Sequence, residues 1–298
     1  MVDIAVNTKL PSTSEKVETP FRRALRRLFR RKSAVFGLAI VVFFVALAVF
    51  APLLSPYDPT AQSWTLVRNE PSALHWFGTD DLGRDILARI IFGSRASLLA
   101  GVISVGIALS IGVPLGLAAG YLGGLLDALI SRMTDAMLAC PFLILAIALA
   151  AFLGPSLGNA MIAIGVTATP IFVRLTRGQV LVVKMEDYVE AARAVGNPRW
   201  RIVFVHILPN IMPSLLVQAT LSIAAAIIAE AALSFLGLGQ QPPAPSWGSM
   251  LNSAQRFLVN APWMAVWPGL AIFLTVLSFN LVGDGLRDAL DPRDSGRG

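Results

Sequence analysis

Charge is the scarcest property of this chain. Of 298 residues, 14% are Asp, Glu, Lys or Arg while 55% are hydrophobic, where a soluble domain carries about 25% charged residues. That deficit points to a membrane protein before any segment is inspected. Cysteine is nearly absent: Cys140 stands alone, so no internal disulfide can form and sulfur says nothing about compartment. The two histidines, His75 and His206, lie far apart with no cysteine at ligand spacing, which leaves no metal site to assign. Lysine occurs four times and never after a G-x-x-x-x-G run, so there is no P-loop and no ATP binding by that device. G-x-S-x-G and H-E-x-x-H are missing too, so the chain has no catalytic residues to name and is not expected to be an enzyme.

What the chain has instead is apolar length. About 20 mostly apolar residues cross a bilayer, and six stretches qualify: Ala34 to Leu54, Ser97 to Tyr121, Asp135 to Leu153, the short Gly158 to Val173, Ser214 to Leu236, and Trp263 to Leu286. The first follows a basic region some thirty residues into the chain and is too long for a signal peptide; it reads as an uncleaved span. The expected fold class is therefore all-α, a polytopic membrane protein with six transmembrane helices.

Six spans put both termini on one side. With the N-terminus inside, the inner segments hold nine basic residues in the N-terminal tail, Arg132, six from Arg174 to Arg201, and three at the C-terminus. Only Arg68, Arg84, Arg89, Arg95 and Arg256 fall outside. The positive-inside rule then predicts both termini in the cytoplasm of a multi-pass protein of the cytoplasmic membrane. Dropping the short fourth span would reverse this for the basic loop after it, which argues for keeping it. The stretch "FRRALRRLFRRK" (21–32) carries seven basic residues and no acid, with Phe21, Leu25, Leu28 and Phe29 on one helical face. Placed directly before a span, it reads as an interfacial helix on anionic membrane lipid rather than a nucleic-acid-binding element.

Within the spans, Gly112, Gly116 and Gly120 form two successive GxxxG steps, the pattern of ordinary close helix packing. Glu230 is the one acid deep in an apolar run. It must face protein or water, either lining a translocation path or locked to a neighbouring helix through a hydroxyl such as Ser222 or Ser234. Asp284, Arg287 and Asp288 sit at the inner end of the last span as interface anchors. Outside, residues 55–96 hold "GTDDLGRDILARIIFGSRASL", where Thr79 or Asp80 is a candidate N-cap for an amphipathic surface helix. Asp80, Asp81, Arg84 and Asp85 are either a contact patch for an external partner or a solvated helix start.

One polar island interrupts the apolar pattern: "EDYVEAARAVGNPRWRIVFVHILPN", Glu186 to Asn210. Asp187 and Glu190 are spaced as a capping-box variant. Tyr188, Ala191, Ala192 and Val195 share a face. Gly196 suits a left-handed helix end, Pro198 a new helix start, and Pro209 a stop. Two helices this short do not hold their shape alone; they are proportioned for docking.

Glu190-Ala191-Ala192, Gly196 and Ile207-Leu208-Pro209 resemble the EAA loop of membrane subunits of ATP-binding-cassette importers. "HWFGTDDLGRDILARIIFGSRASL", "GYLGGLLDALISRMTD", "LSFLGLGQQPPAPSWGSML" and "PGLAIFLTVLSFNLVGDGLRDALDP" are similar, in the same order, to the C-type permeases of the dipeptide/oligopeptide/nickel group. The resemblance covers roughly residues 34–292, which it implies form a type I importer permease domain with a cytoplasmic coupling loop at 184–210, flanked by tails 1–33 and 293–298. It implies that Glu190, Ala191, Ala192, Gly196 and Pro198 belong to a coupling element. The implied partners are two ATPase subunits that bind the ATP, a second homologous permease in a heterodimer, and an external solute-binding protein. Small peptides are the expected cargo, with glutathione, nickel chelates and sugar-like or opine solutes open. A self-contained secondary transporter would need inverted repeats and further intramembrane charges, which the sequence does not display.

Overall fold

The computed structural model describes residues 26–290. Among them every regular element is helical: α1 (Lys32–Val49), α2 (Ile86–Leu122), α3 (Gly124–Leu138), α4 (Phe142–Leu153), α5 (Leu157–Val183), α6 (Asp187–Ala194), α7 (Leu208–Phe235), α8 (Trp247–Ala254) and α9 (Trp263–Leu290), with shorter turns between them. Five helices are long and apolar enough to cross a membrane, six if the bent pair α3–α4 is one span. The tails before residue 26 and after residue 290, with residues 21–25 of the basic stretch, lie outside the described residues; residues 26–30 are helical and the helix breaks at Arg31.

Three sequence expectations change. The amphipathic external helix and the second span are one helix of 37 residues, capped by Asp85, whose side chain accepts from the Ala88 N–H at 2.7 Å. Thr79 and Asp80 do not cap it. The third span is broken: α3 and α4 meet at 92° across residues 139–141. Pro141 disfavours helical backbone in the residue before it. The fourth, expected to be short, is the 27-residue α5, about 40 Å long. Polar residues near its C-terminal end, Arg174 to Gln179, hid that length. Arg177 forms a bidentate ion pair with Asp127 on α3 at 2.5 and 2.8 Å.

Packing of α2 against α5 makes the centre of the larger core. A Cβ added at Gly112 would come within 2.7 Å of Phe172 Cβ, at Gly116 within 2.5 Å of Thr176 Cβ, and at Gly120 within 2.8 Å of Val180 Cβ. The GxxxG ladder therefore seats α5 directly on the α2 backbone. A second core joins α1, α7, α8, α9 and the N-terminal turns of α2 around the fully buried Trp247. Its indole donates to the Ile90 carbonyl at 3.1 Å, and its rings meet Phe44 edge-on at 5.4 Å.

Candidate functional site

The island holds a helix–turn–helix. Its first helix, α6, begins after Glu186, the N-cap residue, and no side chain caps it. Asp187 is already helical, so the expected capping box does not form. Asp187 and Glu190 instead place negative charge in the first turn and Arg193 places positive charge in the last, complementing the helix dipole. The C-terminus is a Schellman turn: Asn197 N–H donates to the Ala192 carbonyl at 3.2 Å and Gly196 N–H to Arg193 at 3.0 Å. Gly196 has φ +80°, where a Cβ is unfavourable. Pro198 is the N-cap of the next turn rather than its first helical residue. Pro209 ends nothing. A π-helical turn, Ile202–Ile207, leads directly into α7, whose first turn tolerates Pro209.

The expected apolar face divides in two. Ala192 turns inward and is buried, and Val189 on the same helix joins the chain's own core with Ile202 and Ile207. Tyr188, Ala191 and Val195 face out; Val195 is 79% exposed. Glu190 is exposed as well. An outward stripe with alanine at its middle is thus held from behind by the α6 residues that are buried.

Glu230 is fully buried near the C-terminal end of α7. Ser97 of α2 donates to one carboxylate oxygen at 3.0 Å and Ser234, one turn on, to the other at 2.6 Å. Ser222 is not a partner; it is bonded to Gln218 at 3.2 Å. The carboxylate thus ties α7 to α2.

The external acidic cluster is neither a solvated helix start nor an exposed patch, because Asp80, Arg84 and Asp85 are all buried. Asp80 accepts from the Leu82 and Arg84 N–H groups, both at 2.9 Å, and from Arg84 Nε at 2.6 Å, with Arg89 Nε at 3.4 Å. His75 Nδ1 meets Asp85 at 2.9 Å, and Trp263 Nε1 reaches the Thr79 carbonyl at 3.2 Å. These contacts fold the loop onto α9. Asp81 is left at the edge of the cluster. Burial, then the neighbouring Asp80, raises its pKa above the usual 3.8 against the opposite pull of Arg84.

Sequence reasoning missed one feature. A groove of about 490 Å³ opens between α5, α7 and α9, with Ser214, Val217, Gln218 and Leu221 as its floor and Gln179 and Arg287 on its walls. Gln179 and Gln218, polar residues within spans, were the available signal; Arg287 was read as an anchor. Among the described residues, no group of three or more His, Cys, Asp or Glu side chains could hold a metal.

Comparison with known proteins places this geometry. The family model described as "Binding-protein-dependent transport system inner membrane component" matches residues 112–295, and "N-terminal TM domain of oligopeptide transport permease C" matches residues 19–71. The dipeptide transport system permease protein DppC of Alkalihalophilus pseudofirmus is 50% identical over 96% of this chain and 94% of its own. The glutathione transport system permease protein GsiD of Pectobacterium atrosepticum is 46% identical over 97% of both. A chain of the MetNI methionine ABC transporter, solved in inward-facing conformations, aligns with a TM-score of 0.58 at 22% identity, covering 69% of this chain and 98% of that one; it shares the fold.

Proposed function

Because the chain belongs to the binding-protein-dependent transport system inner membrane components, we propose that it is the C-type permease subunit of an ATP-driven importer of small peptides. The carrying observation is the 50% identity to a dipeptide permease over nearly the whole chain. The fold agrees with it: a multi-pass helical membrane protein with a polar docking element and no P-loop. ATP is bound and hydrolysed by two partner ATPases, and an external solute-binding protein delivers the peptide. A second permease chain of the same family completes a heterodimer. Both termini lie in the cytoplasm, and the basic N-terminal stretch rests on anionic lipid.

Coupling runs through α6. Glu190, Ala191 and Gly196, with Tyr188 and Val195, form the surface that enters a groove on the ATPase. Ala192 supports that surface from behind and Pro198 starts the return turn. Glu230 serves as a structural tie, and the Asp80–Arg84–Asp85 cluster holds the external loop in shape.

Glutathione is the second reading of the cargo, favoured by the 46% identical relative. Proteoliposomes holding both permeases and both ATPases, supplied with the binding protein, should accumulate labelled dipeptide on ATP addition. Vesicles with this chain alone should accumulate none, and uptake by the chain alone would sink the subunit reading. Uptake of glutathione in preference to dipeptides would move the cargo to the second reading.

A further inference from the structure

The groove between α5, α7 and α9 has a composition that lipid contact does not explain. Its floor is one face of α7, with Pro213, Ser214, Val217, Gln218 and Leu221 recurring at helical spacing. Gln179 and Arg287 close the sides. Polar side chains within spans are costly against hydrocarbon and face water or protein instead. Its volume of about 490 Å³ falls within the roughly 300–1,000 Å³ of small-molecule sites. Arg287 is exposed and has no ion-pair partner among the described residues. Its acidic neighbour Asp288 is taken by Arg31, and Asp284 does not line the groove. A guanidinium with no ion-pair partner among the described residues, set beside two carboxamides, is a complementary set for a carboxylate next to a peptide bond: arginine binds a carboxylate through a two-pronged fork, and each carboxamide offers both donor and acceptor.

We propose that this groove is a binding site for the carboxylate end of a short peptide at the inner side of the translocation path, with Arg287 taking the carboxylate and Gln179 and Gln218 the adjacent amide. The assignment rests on the peptide-importer reading. Selection for the carboxylate by this chain would then add to whatever the external binding protein selects.

The test uses the assembled transporter in nanodiscs without nucleotide, its other subunits free of cysteine, in a Cys140→Ser background with Ser214→Cys, or separately Val217→Cys, lining the groove. Maleimide labelling is timed with and without a millimolar dipeptide, and with the same dipeptide amidated at its C-terminus. The free acid should slow labelling about threefold at twice its Kd, and the amide should slow it much less. Arg287→Gln should remove the difference and Arg287→Lys should keep most of it, with the unfolding midpoint of the assembled transporter unchanged in both. Equal protection by acid and amide, no protection at either cysteine, or protection by anionic lipid in place of peptide would overturn the site. Uptake by the unsubstituted transporter is measured in parallel. Normal peptide uptake with no protection defeats the site alone, and absent peptide uptake defeats both it and the function on which it rests.

Discussion

At the residue scale, the buried charges are tied to the protein rather than held ready for chemistry. Glu230 satisfies two hydroxyls from two helices. Glu230→Ala strands them and opens a void, at a cost of about 2–4 kcal/mol, while Glu230→Gln can keep both contacts. Thermal unfolding of the assembled transporter in detergent should show a lowered midpoint for alanine and little change for glutamine. Reduced transport by Glu230→Ala with no loss of thermal stability would instead mark it as a path-lining residue. Asp80 behaves similarly in the loop before α2. Removing it leaves Arg84 and Arg89 buried without their shared partner, so Asp80→Ala should cost about 3–5 kcal/mol and expose the external loop to protease. Asp81 has the opposite sign. Its pKa is raised in the folded protein, so its contribution is whole below 3.8 and is lost as pH rises through the folded value. Asp81→Asn should therefore raise the midpoint more at pH 8 than at pH 4; an equal effect at both would contradict that origin.

At the scale of elements, α6 combines a supported back with an open front. Placing a methyl group at Gly196, whose φ is +80°, costs about 1–2 kcal/mol and loosens the Schellman turn that fixes the element's direction. Gly196→Ala should weaken ATPase stimulation by loaded binding protein and Gly196→Pro should abolish it, with the protein still in the membrane. Ala191→Arg, on the open face, should do the same without lowering the unfolding midpoint. Ala192→Arg, on the buried face, should lower both. Stimulation that survives Ala191→Arg would remove α6 from the docking surface. Packing of α2 on α5 predicts a different failure: Gly116→Leu has no room beside Thr176 and should block assembly outright, read as loss of the protein from the membrane fraction.

At the scale of the whole molecule, the spans were legible because apolar length is written residue by residue, and the turn at Gly196 because glycine and proline mark backbone that side chains cannot disguise. The α3–α4 break was less legible, since a run of apolar residues looks the same straight or bent. The Asp80 cluster was misread for a related reason. Charge in a sequence suggests water, and only the folded loop brings Arg84, Arg89 and Asp80 close enough to bury one another. The inner groove was hidden because its polar residues come from three separate helices.

One continuity has a mechanical consequence. From Arg199 the chain runs through the π-turn to Phe235 without a break, and this rod is fastened near its far end at Glu230. A tilt about that point would move the opposite end most. At 1.5 Å per residue, Arg199 lies about 46 Å from the pivot and Pro213 about 25 Å. A tilt of ten degrees would sweep the inner tip by about 8 Å and the groove wall by about 4 Å, while the fastening hardly moves. Spin labels placed along the rod should record displacements that grow steadily toward Arg199 when nucleotide binds. The α6 end of the rod and the groove wall would then share one axle, and a single carboxylate would hold its bearing.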